Sequence, residues 1–129
     1  MTTATVGQQL PELVIDASVR NIVATAIASR DYQDVHHDIA TAQLKGSQTI
    51  FTNILTSNGY VLKYVTDFFG PLTVIKKCKI RLGVPNYAGD AMTMRGEVTS
   101  VEGKAIEISV RGTNSLGDHV IGTVGIVIP

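Results

Sequence analysis

The stretch 50–69 constrains this chain more than any other. Ile50, Phe51, Ile54, Leu55, Leu62, Val65, Phe68 and Phe69 leave few strongly polar positions in it, mainly Asn53, Asn58, Lys63 and Asp67. A helix here is apolar on most sides, so other structure must wrap it. A chain of 129 residues has room for one domain, and the wrapping must come from the rest of the same sequence. The second half supplies it by changing period. Cys78, Ile80, Leu82 and Val84 alternate with Lys77, Lys79 and Arg81, the pattern of a half-buried strand with a basic outer face. A turn at 85–90 leads into a strand over 91–101. Gly103-Lys104 turns into a third, where Ile106, Ile108 and Val110 alternate with Glu107, Ser109 and Arg111, and 114–118 turns into a last strand at 119–128. The expected architecture is α+β, a single domain whose antiparallel sheet curls around a long central helix. The last strand is so apolar that an exposed edge there would demand covering, for which dimerisation is the natural remedy.

The first half is read more simply. Residues 1–10 are small and polar and are expected to be a flexible N-terminus, with the folded domain covering 11–129. Leu13, Val14 and Ile15 suggest a short strand. Ser18 is placed to cap a helix whose Val19, Ile22, Val23, Ala26 and Ile27 form one stripe, ending near Ser29 or Arg30. Asp38 caps a second, short helix through Ala40, Ala42 and Leu44 that stops at Gly46. Apolar residues at 44% and charged residues at 17% describe a chain that buries a core. Eleven basic residues balance eleven acidic ones, so nothing draws the whole molecule to nucleic acid or anionic lipid. One cysteine, Cys78, rules out an intramolecular disulfide and a cysteine-based zinc site, and fits a reducing compartment. There is no 18-residue apolar run, and 1–10 lacks the charged start and apolar centre of a signal peptide. The expected location is the cytoplasm, away from membranes.

Chemistry concentrates at 30–38, where Arg-Asp-Tyr-Gln-Asp-Val-His-His-Asp packs carboxylates and imidazoles into one short segment. Asp31 and His36 lie five residues apart at the end of a helix, where a loop can turn both side chains toward one point. Such a pair can hold and deprotonate water, since imidazole titrates near neutral pH and a carboxylate orients it. The plainer alternative is that these groups only cap helices and solvate a loop. A metal site built from Asp34, His36, His37 and Asp38 is a third reading, although adjacent histidines usually point apart. No phosphate loop, dinucleotide fingerprint or nucleophile elbow is present. Cys78 falls on the apolar side of its strand and reads as packing. Lys76, Lys77, Lys79 and Arg81 read as a solvated strand face rather than a phosphate site. Asp118 and His119, at a turn, read as surface groups.

The segment 30–38 resembles the signature of MaoC-like enoyl-CoA hydratases of the hot-dog fold, Gly-Asp-x-Asn-Pro-(Ile/Leu/Val)-His-x-Asp. Asp31, Val35, His36 and Asp38 are in register with it, while Arg30, Gln33 and Asp34 replace the glycine, asparagine and proline. Val84-Pro85-Asn86-Tyr87-Ala88-Gly89-Asp90 looks like the family's Pro-x-x-x-Gly-Asp turn, and the similarity runs in order through nearly the whole chain. Where the family has a His-Gly pair before the central helix, this sequence has Phe51-Thr52-Asn53. The 30–38 run, Ile50-Phe51-Thr52-Asn53-Ile54-Leu55 and Arg81-Leu82-Gly83-Val84-Pro85 are similar, more narrowly, to the small subunits of actinobacterial heterotetrameric steroid side-chain hydratases.

The resemblance implies a single hot-dog domain and reversible addition of water across a trans-2-enoyl-CoA. It further implies a bulky steroid acyl group, as in cholesterol catabolism, and a larger MaoC-like partner subunit in a heterodimer or heterotetramer. No cofactor is implied, because coenzyme A belongs to the substrate. Asp31 and His36 would bind one water, with His36 as base and Asp31 orienting the water and donating a proton. The backbone amide of Thr52, or next of Asn53, would bind the thioester oxygen; a helix N-terminus favours developing negative charge there, by ~3–4 kcal/mol for a typical oxyanion donor. Two other hot-dog roles compete: an acyl-CoA thioesterase, and a non-catalytic subunit that shapes a partner's acyl tunnel.

Overall fold

The computed structural model describes residues 3–129. Its strands are β1 (Gln9–Asp16), β2 (Val74–Leu82), β3 (Ala91–Glu102), β4 (Ala105–Asn114) and β5 (Gly117–Val127). Its helices are α1 (Val19–Ala28), α2 (Ile39–Leu44) and α3 (Ile54–Phe69), with a short 3₁₀ turn at Asp34–His36. The strands form one antiparallel sheet in the order β1-β3-β4-β5-β2. Alternation along β3 and β4 turns Met92, Met94 and Val98, and Ile106, Ile108 and Val110, to one face. There they meet Val61, Tyr64, Val65 and Phe69 of α3. The helix is seated closely because Gly96 leaves room for it: a Cβ at that position would stand 2.8 Å from Tyr64 Cε2. Tyr64 continues past the sheet and donates its hydroxyl to the Pro11 carbonyl at 2.8 Å.

The expected caps form. The Ser18 side chain accepts from the Asn21 N–H, and Asp38 accepts from the Thr41 N–H. A smaller cluster of Ala17, Ile22, Ala42 and Ile50 ties α1 and α2 to the strand-like segment preceding α3. That cluster fixes where 30–38 lies.

Three expectations are corrected. The first strand begins at Gln9, not near Leu13, so the boundary placed after residue 10 falls inside β1. Leu10 is buried, Gly7 N–H donates to Val98 O, and Val98 N–H donates to Gln8 O, so part of the segment expected to be flexible is hydrogen-bonded to β3. Second, α3 starts at Ile54 rather than Ile50, because Phe51 leaves the helix path to bridge Tyr87. Third, β5 lies inside the sheet between β4 and β2. The edges are β1 and β2, and on β2 the exposed Lys76, Lys77, Lys79 and Arg81 discourage unwanted pairing. An uncovered β5 therefore gives no reason for dimerisation.

Candidate active site

The end of α1 delivers the first functional group. Arg30 adopts the left-handed conformation, φ 57°. Its N–H donates to Ile27 O, while the Asp31 N–H reaches back to Ala26 O, both at 2.9 Å. This is a Schellman closure, which usually recruits glycine. It stops α1 and turns Asp31 back toward α3. Asp31 Oδ1 then accepts from the Gln33 N–H at 3.2 Å.

The 3₁₀ turn brings up His36, which is 7% exposed. Its Nδ1 lies 2.7 Å from the Phe51 carbonyl. A carbonyl only accepts, so Nδ1 carries the hydrogen, and in the neutral ring Nε2 holds a lone pair. That lone pair faces Asp31 Oδ2 at 3.4 Å, longer than the 2.7–2.9 Å of a charge-assisted hydrogen bond. A carboxylate oxygen and an unprotonated imidazole nitrogen are both acceptors. One water can donate a proton to each. Burial pushes the Asp31 carboxyl up, but the Gln33 and Asn53 hydrogen bonds and the fields of His36 and His37 outweigh it and hold the group below its ordinary range.

The segment before α3 is fastened on both sides. Phe51 N–H donates to Val35 O, and Thr52 N–H donates to Asn86 O at 3.0 Å. Asn86, fully enclosed, also donates its side-chain amide to Thr52 Oγ1 at 3.2 Å. The Thr52 amide, expected to bind a thioester oxygen, is thus already engaged in holding the loop. Asn53 caps α3. At this helix end the Asn53 N–H, unlike the Thr52 N–H, is left without a protein acceptor among the described residues.

Asp31, His36, Thr52 and Asn53 line one cleft of about 310 Å³, whose walls include Phe51, Ile54, Leu82 and Val84. His119 lines it too, against the expectation of a surface group: it is 2% exposed. Its Nδ1 donates to the Val84 carbonyl at 2.7 Å, and Nε2 accepts from the Ser57 hydroxyl at 2.7 Å. Burial lowers its pKa, although the Val84 bond acts the other way. Asp118 does face outward, 3.1 Å from Arg111. Its carbonyl oxygen crowds Gly83, where a Cβ would stand 2.3 Å away. The pattern Gly83…His119 was invisible to local reading because one member follows β2 and the other lies in β5. The metal reading is not supported by the geometry: His37 Nε2 turns to the Asp31 carbonyl, Asp34 to Lys45, and Asp38 to its helix. Among the described residues no three such ligands converge. Cys78 packs as expected, its thiol 3.3 Å from Asn58 Oδ1.

An antiparallel sheet laid on one central helix, with an Asp–His pair facing that helix's N-terminus, defines a MaoC-like protein of the hot-dog fold. The chain is 53% identical over 119 residues to the 3-oxo-4,17-pregnadiene-20-carboxyl-CoA hydratase beta subunit of Mycobacterium tuberculosis, covering 92% of each, and it belongs to that family. It superposes on a chain of the ChsH1-ChsH2 complex from Mycobacterium tuberculosis with a TM-score of 0.96 and 50% identity, over 98% of this chain and 100% of that one. The (R)-hydratase of A. caviae involved in PHA biosynthesis shares the fold, at a TM-score of 0.87 and 20% identity over the full length of both chains. No family model matches the sequence.

Proposed function

We propose that this chain is the catalytic small subunit of an enoyl-CoA hydratase that adds water across a trans-2-enoyl-CoA with a steroid side-chain acyl group, working with a larger MaoC-like subunit in a heteromer. The observation that carries the reading is the pair of acceptors, Asp31 Oδ2 and His36 Nε2, 3.4 Å apart in a cleft at the N-terminus of α3. The substrate class and the partner rest on the family: the relative is named for a pregnadiene carboxyl-CoA, and its fold match comes from a two-subunit complex.

In this mechanism the water between the two groups attacks C3 of the enoyl thioester. His36 Nε2 takes its proton as the new C–O bond forms, and the electron pair of the double bond moves to C2 and the thioester oxygen. Asn53 N–H stabilises that oxygen. The imidazolium then returns the proton to C2, so hydroxyl and hydrogen add on the same face. Asp31, held ionised, orients the water and stabilises the imidazolium. Its expected share in proton donation passes to His36, because a carboxylate kept below its usual range carries no proton to give. We place the reaction in the cytoplasm, in keeping with a lone reduced cysteine. Among the described residues no helix is long and apolar enough to cross a membrane.

The test is to produce the chain together with a larger MaoC-like partner and supply a steroid side-chain enoyl-CoA. Loss of the enoyl-thioester absorbance without release of free thiol supports hydration. Release of free coenzyme A makes the protein a thioesterase, and no turnover until an unrelated catalytic subunit is added makes it a scaffold.

A further inference from the structure

Asn53 uses its side chain as well as its backbone. Nδ2 donates to Asp31 Oδ2 at 3.2 Å and to Ser29 Oγ at 3.0 Å. Oδ1 accepts from the Thr56 N–H at 3.2 Å and from the Thr56 hydroxyl. The Thr56 N–H can only donate, which settles the orientation of the amide: its oxygen faces α3 and its NH₂ group faces Asp31. At 2% exposure, Asn53 makes these bonds away from bulk water. With Gln33 N–H on Oδ1, each carboxylate oxygen of Asp31 has a protein donor.

We propose that Asn53 is a positioning residue of the hydratase site, its side-chain amide clamping Asp31 Oδ2 to the first turn of α3 so that Asp31 faces His36 Nε2 as an oriented carboxylate. This rests on the reading of Asp31 and His36 as the water-binding pair. The amide donates to an ionised oxygen and loses that bond when the oxygen is protonated, so it also favours the charged form. The titratable and charged groups around Asp31 are His36, His37 with its Nε2 2.8 Å from the Asp31 carbonyl, His119 across the cleft, and Arg30, Tyr32 and Asp34 on its outer side. From α1 and α3 the neighbours are the neutral Ser29 and Asn53.

Asn53→Ser and Asn53→Asp both keep an oxygen able to cap α3 and both remove the amide donor. The readout is the titration midpoint of the Asp31 carboxyl carbon by ¹³C NMR, followed with kcat and KM in the assembled enzyme. The midpoint is expected to rise by about one unit in Asn53→Ser, and further in Asn53→Asp, where two carboxylates share the space. kcat should fall roughly 10- to 100-fold with a smaller change in KM, as for a misplaced catalytic group. A midpoint that stays at the wild-type value in both variants overturns the proposal and leaves Asn53 a helix cap. Asp31→Asn is the control: if it turns over like wild type, the Asp–His reading itself fails, whereas an inactive Asp31→Asn with unmoved midpoints refutes the clamp alone.

Discussion

Arg30 stands at φ 57°, a backbone conformation that costs an L-residue with a side chain about 1–2 kcal/mol. The protein bears this because the turn aims Asp31. Arg30→Gly should therefore stabilise the fold by about 1 kcal/mol, less what glycine adds to the entropy of the unfolded chain; a higher denaturation midpoint in urea checks this. Asp31→Asn leaves the turn but removes the charge and replaces one carboxylate oxygen with an NH₂ donor, and His36→Ala removes the imidazole acceptor. Each is expected to cut hydration by about 10²–10⁴-fold without disturbing subunit assembly, as measured by turnover beside gel filtration. The approach of Asp31 to His36 was legible in sequence because the two are near neighbours along the chain, at the end of a helix that a loop must turn away from. The demand for a left-handed residue at 30 was hidden, because arginine there gives none of the signal that glycine would.

The loop before α3 shows what sequence periodicity cannot resolve. Ile50 and Phe51 are as apolar as the helix that follows, so the pattern runs on through them, yet Phe51 donates to Val35 and Thr52 to Asn86. Asn53 did carry a readable sign, being a favoured capping residue. Its hold on Asp31 did not, since that bond joins positions 22 residues apart. His119 follows a polar turn in sequence but lies in β5, and its bonds to Ser57, 62 residues away, and to the Val84 carbonyl hold it inside. The β2–β3 connection is held to β5 by Gly83 N–H on the His119 carbonyl at 2.8 Å. Gly83→Ala places a methyl against the Asp118 backbone carbonyl, which cannot rotate away as a side chain would. We expect it to destabilise the protein by about 1–3 kcal/mol and to lower turnover by shifting Val84 and His119; urea unfolding and an assay on the same sample test both.

At the scale of the molecule, the β3-β4-β5 meander was legible from its turns, but the sheet order was not. β1 pairs with β3 and β2 with β5 across long stretches of chain, and these crossovers decide which strand becomes an edge. The titration of the whole fold follows from groups it has enclosed. Burial lowers the pKa of His119 from its ordinary 6.5, so below 6.5 the unfolded chain binds a proton that the folded one resists. Stability is thus complete above 6.5 and declines on acidification. A second decline begins under 3.8. There Asp90, lowered mainly by the Ser115 hydroxyl, joins Asp31, where burial is outweighed by the Gln33 and Asn53 bonds and the nearby histidines. Thermal scans across acid pH should show both steps, and His119→Gln should erase the upper one; a melting temperature flat from neutral pH to the carboxylate range would contradict this. The fastening of residues 51–53 to both neighbouring loops has a kinetic corollary. The floor of the cleft is rigid before any ligand arrives, so the loss of backbone freedom there is incurred once, during folding, and not at every catalytic cycle. Discrimination between wide and narrow acyl chains must then be exercised at the mouth, by whatever surrounds Ile54 and Leu82.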